Sequence, residues 1–593
     1  MFPREVFFAI LRKTYLRMKI VDIIPVTMSG ESSQDVGCSI AVNPNNSNEI
    51  VITTLTADPN GGPNAPVFVS TDGGNTWSVK TIVPGDGPTG TFGMTVKYGQ
   101  TSNELYAANV DGASQMSILR TTNPAGGALM TTLDSDGGAM PPYVAAMTVP
   151  SGPDAGKNRL YVGFNQLGLS GPFATGLTTT IRQTMDALNA APAFTSILLD
   201  RRPKTPGALQ DLTPPSNGPQ VRPAVHKDGT VYSLFYSWKT WADTGQNPVV
   251  VAFVTSDVVI VRDDSWGQSA DPYGSLIDSG DGVAGQRIAT NVPLKWHGTL
   301  GYERVGGDLS IAVDPANSSI VYVAWQQYQA GGGGQPDIYW LQIRRSTDRG
   351  QTWSSTGLSP ISNAKSPGLA INDKGQVGLI YRQLTGTVGN QRWETHLAFS
   401  EGAAVQWSDT TLAAVLATTL TPFYPFIGDY TNLMAVGDNF YGVFCAFNNP
   451  ETQYWPQGVT FLRNHNYNSL FGTDDLSPIS PSIDPFFFQT GYIPPKVKLP
   501  SQNVLGNIII ILFGIIQDGG GAYIDGQGHI HIIGPGDPGP VWDYLVSLAE
   551  YRLATASNTR AGLEMQKLAL QNIVDLATAQ IGQINGQLGR AEL

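Results

Sequence analysis

Short apolar stretches alternate with turn-forming residues along most of the chain, and several of them repeat one pattern. SIAVNPNNSNEIVI from Ser39 and SIAVDPANSSIVYVAW from Ser310 each combine an apolar strand, a turn with Asn or Asp and Pro, and a second strand. Such a pair is typical of the inner hairpin of a propeller blade. Five weaker copies start at Gly93, Pro142, Arg222, Pro367 and Asn432. The seven copies predict an all-β fold, a seven-bladed β-propeller over residues 31–466, with six blades as the alternative because the unit from Pro142 is poorly marked.

Two near-identical octapeptides follow strand-like segments: STDGGNTW at residues 70–77 and STDRGQTW at residues 346–353. Their residue types suit a hairpin turn, because an Asp carboxylate can accept hydrogen bonds from turn amides and a Gly can adopt a left-handed conformation. The closing Trp can cover the blade where the chain re-enters a strand. The residues given these structural roles are Ser70, Asp72, Gly74 and Trp77 in the first copy, and Ser346, Asp348, Gly350 and Trp353 in the second.

The shared pattern S-x-D-x-G-x-T-W resembles the Asp box, the bacterial neuraminidase repeat (BNR repeat) found in sialidase-like β-propellers. A third segment, SEGAAVQW at residues 400–407, resembles a copy that has lost its Asp and kept its Trp. In the families that the chain resembles, the box lies on the outer turns of the blades, away from the central pocket. The resemblance therefore implies a fold and names no reaction.

Three segments flank the predicted propeller. Residues 1–30 mix basic and apolar residues and are expected to form an amphipathic segment that docks on the domain or on a membrane surface. Residues 467–540 are rich in Pro and Gly and are expected to form a linker with short strands. Residues 541–593 carry apolar residues at helical spacing, which predicts a C-terminal extension ending in α-helices. The longest apolar run, residues 504–516, is shorter than the roughly 20 residues of a bilayer span, so we expect no transmembrane span.

Composition narrows the class of protein. The chain has 593 residues, of which 14% are charged, and it contains 67 Gly and 41 Pro, which fits many tight turns between buried sheets. Its net charge of −12 argues against a nucleic-acid-binding surface. Few charges and a surface-type fold favour an extracellular or particle-associated protein, although the first residues do not form a standard signal peptide.

Two cysteines, Cys38 and Cys445, are too few for a disulfide framework or a Cys-rich zinc site. Cys38 falls in the first predicted blade and Cys445 in the last. Blades one and seven become neighbours when a propeller closes, so the two residues can pair. They can equally be two separate buried thiols, which is the usual state of free cysteine.

The resemblance to sialidases also implies a set of catalytic residues. Active sialidases combine an Arg triad for the substrate carboxylate, a Tyr nucleophile assisted by a Glu, and an Asp acid/base. Their early F/Y-R-I-P segment is absent here. Tyr430, in GDYTNL, is the candidate nucleophile, and Asp308 and Arg222 are the candidates for accompanying roles at strand ends that face a central funnel. Each has a structural alternative, as a packed aromatic, a turn cap or an ion-pair partner.

Further candidates concern binding rather than catalysis. The residues expected to contact a ligand are Arg222, Arg382, Asp35, Asp429 and Trp238. Three more tryptophans, Trp241, Trp266 and Trp393, can stack on sugar rings or pack inside blades. His529 and His531 lie two residues apart, so in a strand they share a face and can bind one metal, with Asp525 as an additional ligand. Two exposed strand histidines are the alternative, and no other cofactor is expected.

Two functions of different classes follow from these patterns. The first is a non-catalytic binding or interaction propeller that recognises a glycan or a protein partner, with the C-terminal tail for assembly, including homo-oligomerisation, or anchoring. The second is a sialidase-type exo-glycoside hydrolase that uses a Tyr nucleophile. The second requires Tyr430, a nearby carboxylate and two or three arginines to converge in one pocket.

Overall fold

The computed structural model describes residues 18–24, 36–101, 103–166, 178–202, 220–243, 251–295, 309–331, 337–401, 406–420, 427, 430–449, 451, 454, 459–463, 481–491, 520–524 and 530–535. The chain divides into two compact units, Met1–Tyr492 and Ile493–Leu593.

Strands in the first unit form seven sheets, numbered here as blades in chain order. The first described strand, β1 (Met18–Asp22), belongs to the last blade. Blade one contains β2 (Ser39–Val42), β3 (Ile50–Thr53), β4 (Asn64–Ser70) and β5 (Ser78–Asp86). Blade two contains β6 (Gly93–Tyr98), β7 (Leu105–Val110), β8 (Gln115–Thr121) and β9 (Thr131–Gly137). Blade three contains β10 (Ala139–Thr148), β11 (Asn158–Gln166), β12 (Thr178–Thr184) and β13 (Thr195–Leu198).

The remaining blades continue the same order. Blade four contains β14 (Val221–Val225), β15 (Val231–Asp243), β16 (Val251–Asp263) and β17 (Gln286–Lys295). Blade five contains β18 (Leu309–Asp314), β19 (Asn317–Gln329), β20 (Ile338–Ser346), β21 (Ser354–Ser355) and β22 (Ile361–Ser362). Blade six contains β23 (Ala364–Ile371), β24 (Val377–Thr385), β25 (Arg392–Glu401) and β26 (Gln406–Leu416). Together with blade seven they confirm the predicted seven-bladed, all-β propeller over the six-bladed alternative.

Blade seven is assembled from three separate parts of the chain. Its strands are β27 (Thr431–Val436), β28 (Asn439–Phe447), β29 (Val459–Arg463) and β30 (Ile483–Thr490), together with β1. Their order in the sheet is β27-β28-β30-β1-β29, with β1 antiparallel to β30 and parallel to β29. Segments assigned from the sequence to the N-terminal region and to the linker thus each supply a strand to the last blade.

The first strands of the blades surround the axis. Each lies against the first strand of the next blade, and β27 lies against β2, which closes the ring. Hydroxyl groups connect neighbours: the backbone N–H of Val96 donates to Ser39 Oγ (3.3 Å), and that of Leu369 donates to Ser310 Oγ (2.9 Å). Because every blade repeats one up-and-down order, these strands run in the same direction and all begin at one face of the ring.

Apolar side chains fill the spaces between blades. One cluster joins the last blade to the first and includes Val21, Ile52, Trp77 and Phe487. Burial of such a side chain contributes about 1.5–3 kcal/mol. MKIVD in β1 is buried along its whole length because its two faces pack in different apolar clusters, Met18 and Ile20 in one and Val21 in the other.

Both octapeptides form the same hydrogen-bonded turn between the third and fourth strands of their blades. Ser70 Oγ donates to Asp72 Oδ1 (2.8 Å), and the backbone N–H of Gly74 donates to Ser70 Oγ (2.8 Å). The Trp77 indole N–H donates to the Gly74 carbonyl (3.2 Å). The equivalent bonds around Ser346, Asp348, Gly350 and Trp353 measure 2.8, 2.8 and 3.1 Å. Gly74 and Gly350 have φ of +82° and +83°, the left-handed conformation that suits Gly.

The second unit contributes one described hairpin, in which β31 (Gly520–Ile524) pairs antiparallel with β32 (Ile530–Pro535). The predicted helical tail at residues 541–593 lies outside the described residues. Within the described ranges, no helix has both the length and the apolar character needed to cross a bilayer.

Candidate binding site at the channel mouth

Four side chains meet where the first strands begin, and we call them the mouth cluster: Tyr143, Gln220, Arg222 and Tyr430. Tyr143 lies in β10 and Arg222 in β14, while Gln220 and Tyr430 immediately precede β14 and β27. Tyr430 therefore comes from blade seven, and Gln220 comes from blade four on the far side of the ring. A contact between them spans the mouth of the axial channel.

Hydrogen bonds order this cluster. The Tyr143 hydroxyl donates to Gln220 Oε1 (2.8 Å), and Gln220 Nε2 donates to the Tyr430 hydroxyl (3.2 Å). Gln220 is fully buried and Tyr143 nearly so, whereas Arg222 and Tyr430 are partly exposed. The buried amide thus fixes the positions of two phenol groups from opposite sides of the channel.

Arg222 adds a cation to the cluster. Its guanidinium carbon lies 3.2 Å from the centroid of the Tyr143 ring and 5.7 Å from that of Tyr430. Its Nε donates to the carbonyl oxygen of Leu309 in blade five (2.8 Å). A guanidinium against an aromatic face is stabilised by the ring quadrupole, by about 0.5–2 kcal/mol according to exposure. The result is a partly exposed planar cation held by blades three, four and five.

Among the predicted binding residues, Arg382 and Trp238 lie elsewhere. Arg382, in β24, is completely buried and donates to the carbonyl oxygens of Ile427 and Cys445, the latter at 3.2 Å. It therefore supports the backbone before and beside Tyr430 rather than joining the mouth cluster. Trp238 is 1% exposed and packs in the apolar cluster between blades four and five, so its ring faces no ligand.

The additional tryptophans also differ in position. Trp393 is buried in the cluster that joins blades six, seven and one. Trp266 follows β16, on the face opposite the mouth, and the Arg159 guanidinium lies 5.8 Å from its ring. Trp241 is in β15, and its side chain lies outside the described part of the structure.

Several candidates fall on residues that the structure does not describe. These are Asp35, Asp308, Asp429, Asp525 and His529. His531 lies in β32, opposite Tyr523 in β31. Within the described ranges, no group of three or more His, Cys, Asp or Glu side chains is arranged to hold a metal ion. The predicted metal site at His529 and His531 therefore stays a prediction.

Sequence reasoning missed Tyr143 and Gln220. The signal for Tyr143 was its position in the strand. The backbone N–H of Val144 donates to Thr95 Oγ1 (3.0 Å), and in the preceding pair of blades the N–H of Val96 donates to Ser39 Oγ in the same way. Tyr143 therefore occupies the same position in β10 that Thr95 and Ser39 occupy in their strands. Aligning the first strands of the blades residue by residue would have identified Tyr143 as a mouth residue.

No protein-family model and no curated protein matches the chain. Solved structures with a similar fold include the α-L-arabinofuranosidase Arb93A from Fusarium graminearum, with 11% identity, a TM-score of 0.34, and 79% of this chain and 97% of that chain covered. The SapL1 lectin in complex with α-methyl fucoside has 10% identity, a TM-score of 0.30, and coverage of 66% and 99%. Chaetomium thermophilum Sqt1, bound to the N-terminus of ribosomal protein L10, has 12% identity, a TM-score of 0.34, and coverage of 71% and 86%. These proteins comprise a glycosidase, a lectin and a protein-binding protein, and such low similarity assigns none of their activities to this chain.

Proposed function

We propose that this chain is a non-catalytic binding propeller of the Asp-box type whose mouth cluster recognises a glycan. The observation that supports this proposal is the fixed arrangement of Arg222 against Tyr143, with Tyr430 held by Gln220. Aromatic faces and a planar guanidinium suit sugar rings and their hydroxyl or carboxylate groups. A side-chain amide that is already ordered reduces the entropy lost on binding.

The identical turns of the two octapeptides support the resemblance to Asp-box propellers. They lie between outer strands, at the end of each blade away from the mouth, and so leave the mouth cluster as the candidate for recognition. The tail at residues 541–593 is assigned to assembly or anchoring. An extracellular or particle-associated location belongs to the same proposal.

Glycan-array screening followed by calorimetric titration of the best ligand tests the proposal. We expect Arg222→Lys to weaken binding by about tenfold or more, equivalent to about 1.4 kcal/mol, because Lys keeps the charge and loses the planar fork. Tyr430→Phe is expected to weaken binding less, since it keeps the ring. Arg201→Lys is a matched control, because Arg201 is partly exposed and pairs with Asp271 away from the mouth.

Equal affinities of the wild type, Arg222→Lys and Tyr430→Phe would contradict recognition at the mouth. Binding of a protein but of no glycan would assign the same site to the other class of partner.

A sialidase activity is the second candidate, because the Arg222 guanidinium lies close to the Tyr430 ring as a carboxylate-binding arginine would. Against it, the Tyr430 hydroxyl accepts a hydrogen bond from the Gln220 amide, and an amide N–H cannot accept the phenol proton as a base would. Hydrolysis of a fluorogenic sialoside that Tyr430→Phe abolishes would overturn the non-catalytic proposal.

A further inference from the structure

The two cysteines meet at the junction that closes the ring. Cys38 immediately precedes β2 in blade one, and Cys445 lies in β28 of blade seven, 407 positions later. Both thiols are buried in the same apolar cluster. The Cys38 thiol donates to the Tyr430 carbonyl oxygen at 3.7 Å, and Tyr430 directly precedes Thr431, which pairs with Phe444, the residue before Cys445.

The two sulfur atoms have different environments. Burial and a hydrogen bond to Cys445 raise the pKa of the Cys38 thiol. Burial also opposes ionisation of Cys445, and the Asp484 carboxylate does so too, but the hydrogen bond from Cys38 and the nearby Arg382 guanidinium outweigh them and lower the pKa of Cys445. Of the two thiols, Cys445 therefore ionises more readily, and Cys38 is the hydrogen-bond donor to it.

A small cavity lies beside Cys445. It is lined by Trp393, Ile427, Cys445 and Phe447, among others, and has a volume of about 10 Å³. This volume is close to the minimum that holds one water molecule, so any reagent that reaches Cys445 through it must be very small. Hydrogen peroxide has only one oxygen atom more than water, whereas a tripeptide disulfide is far too large.

We propose that Cys38 and Cys445 are a redox-responsive pair that hydrogen peroxide converts into a disulfide joining the first blade to the last. The Cys445 thiolate attacks one peroxide oxygen and breaks the O–O bond, which leaves a sulfenic acid on Cys445 and, after protonation, one water. Cys38 then attacks the sulfenic sulfur, and the hydroxyl leaves with a proton as a second water. Two thiols and one peroxide thus give one disulfide and two waters, with two electrons passing from sulfur to oxygen.

This disulfide would change how the ring of blades is closed. Apolar packing and hydrogen bonds, such as that from Cys38 to the Tyr430 carbonyl, join blades one and seven non-covalently. A disulfide at this junction would convert a ring closed by non-covalent contacts into one closed by a covalent bond. Since the two residues are far apart in sequence, the bond would also restrict the unfolded chain strongly.

Peroxide treatment of the reduced full-length chain, followed by mass spectrometry, tests this inference. We expect the intact mass to fall by two hydrogen atoms and a tryptic digest to contain one cross-linked species with Cys38 and Cys445, which dithiothreitol separates. The oxidised chain should melt on the order of 5 °C higher than the reduced chain, and dithiothreitol should reverse the shift. This comparison needs no substitution, so it holds even where a cysteine variant folds poorly.

Cys38→Ser and Cys445→Ser are the matched controls, because each retains one thiol. Neither should give the cross-linked peptide or a dithiothreitol-reversible change in Tm, and any effect of methionine oxidation will appear equally in both. Addition of oxygen to the wild type with both thiols still open to alkylation after denaturation would overturn the proposal. Disulfide-linked dimers in place of the internal bond would overturn it as well.

Discussion

A buried lysine at the ring closure makes stability depend on pH in a way that can be measured. Lys19, in β1, is 1% exposed, and its ammonium donates to the Gly73 carbonyl (2.5 Å) and to Asn75 Oδ1 (2.9 Å) in the first octapeptide turn. Desolvation, only partly offset by the attraction of Asp72, lowers the pKa of Lys19 to about 7. The last blade is thereby connected to the first through a group that is half-charged near neutral pH.

The sign of the effect follows from proton linkage. In the unfolded chain Lys19 has the ordinary lysine pKa of 10.5, so between pH 7 and pH 10.5 the unfolded state binds more protons than the native state. The free energy of unfolding therefore rises with pH across this window. One pKa unit corresponds to about 1.4 kcal/mol, so the gain between pH 7 and pH 9 is about 2 kcal/mol once half-protonation at pH 7 is included.

Lys19→Met removes the titration while keeping an unbranched side chain of similar length. Denaturant unfolding of the wild type and of the variant at pH 7, 8 and 9 is the assay, and the difference between the two free energies is the quantity compared. We expect this difference to change by about 2 kcal/mol in favour of the wild type as pH rises. A constant difference would show that the ammonium keeps an ordinary pKa through its two oxygen partners, and would refute the reasoning.

Two further predictions concern the turn and the limits of the propeller. Gly74→Ala and Gly350→Ala both place a side chain at positive φ, which destabilises the fold by about 1 kcal/mol each. The new Cβ at position 74 would lie 2.3 Å from Phe487 Cε1, whereas the one at position 350 would lie 3.3 Å from its nearest neighbour. We expect the midpoint of unfolding to fall clearly further for Gly74→Ala, and equal losses would contradict this. A chain ending at Tyr492 should remain folded by circular dichroism and gel filtration, and its assembly state should change if the tail mediates association. A chain ending at residue 469 lacks β30 and should aggregate. A folded monomer of this shorter chain would contradict the role of β30.

The propeller could be predicted because its hairpins are local. SIAV and its relatives are followed within a few residues by their partner strands, and the number of blades follows from counting them. Blade seven could not be completed in this way. Its β30 pairs with β28 and β1. Because β1 comes from the other end of the chain, the local sequence pattern does not predict this pairing. Long apolar runs such as IDPFFFQT also lack the alternation that marks a half-exposed strand.

The candidate site was predictable in part for the same reason. Tyr430 and Arg222 were identified from their places at strand starts, and the structure brings them together. Gln220 connects Tyr430 to Tyr143 across the axis, and that contact depends on the diameter of the closed ring rather than on any spacing in sequence. Arg382 was expected to bind a ligand because it lies near a strand end. In the structure it instead donates to backbone carbonyls inside the protein.

The position of β1 in the last blade has a consequence for synthesis. β1 leaves the ribosome long before β30, because roughly 460 residues separate the two strands. At about 5–20 residues per second, the interval is roughly 20 to 90 s. For nearly all of this interval the apolar strand β1 lacks both of its neighbours, β29 and β30, while the six preceding blades can already fold. The nascent propeller therefore carries an exposed strand until its last blade emerges, and this is the period in which chaperone binding or aggregation competes with ring closure.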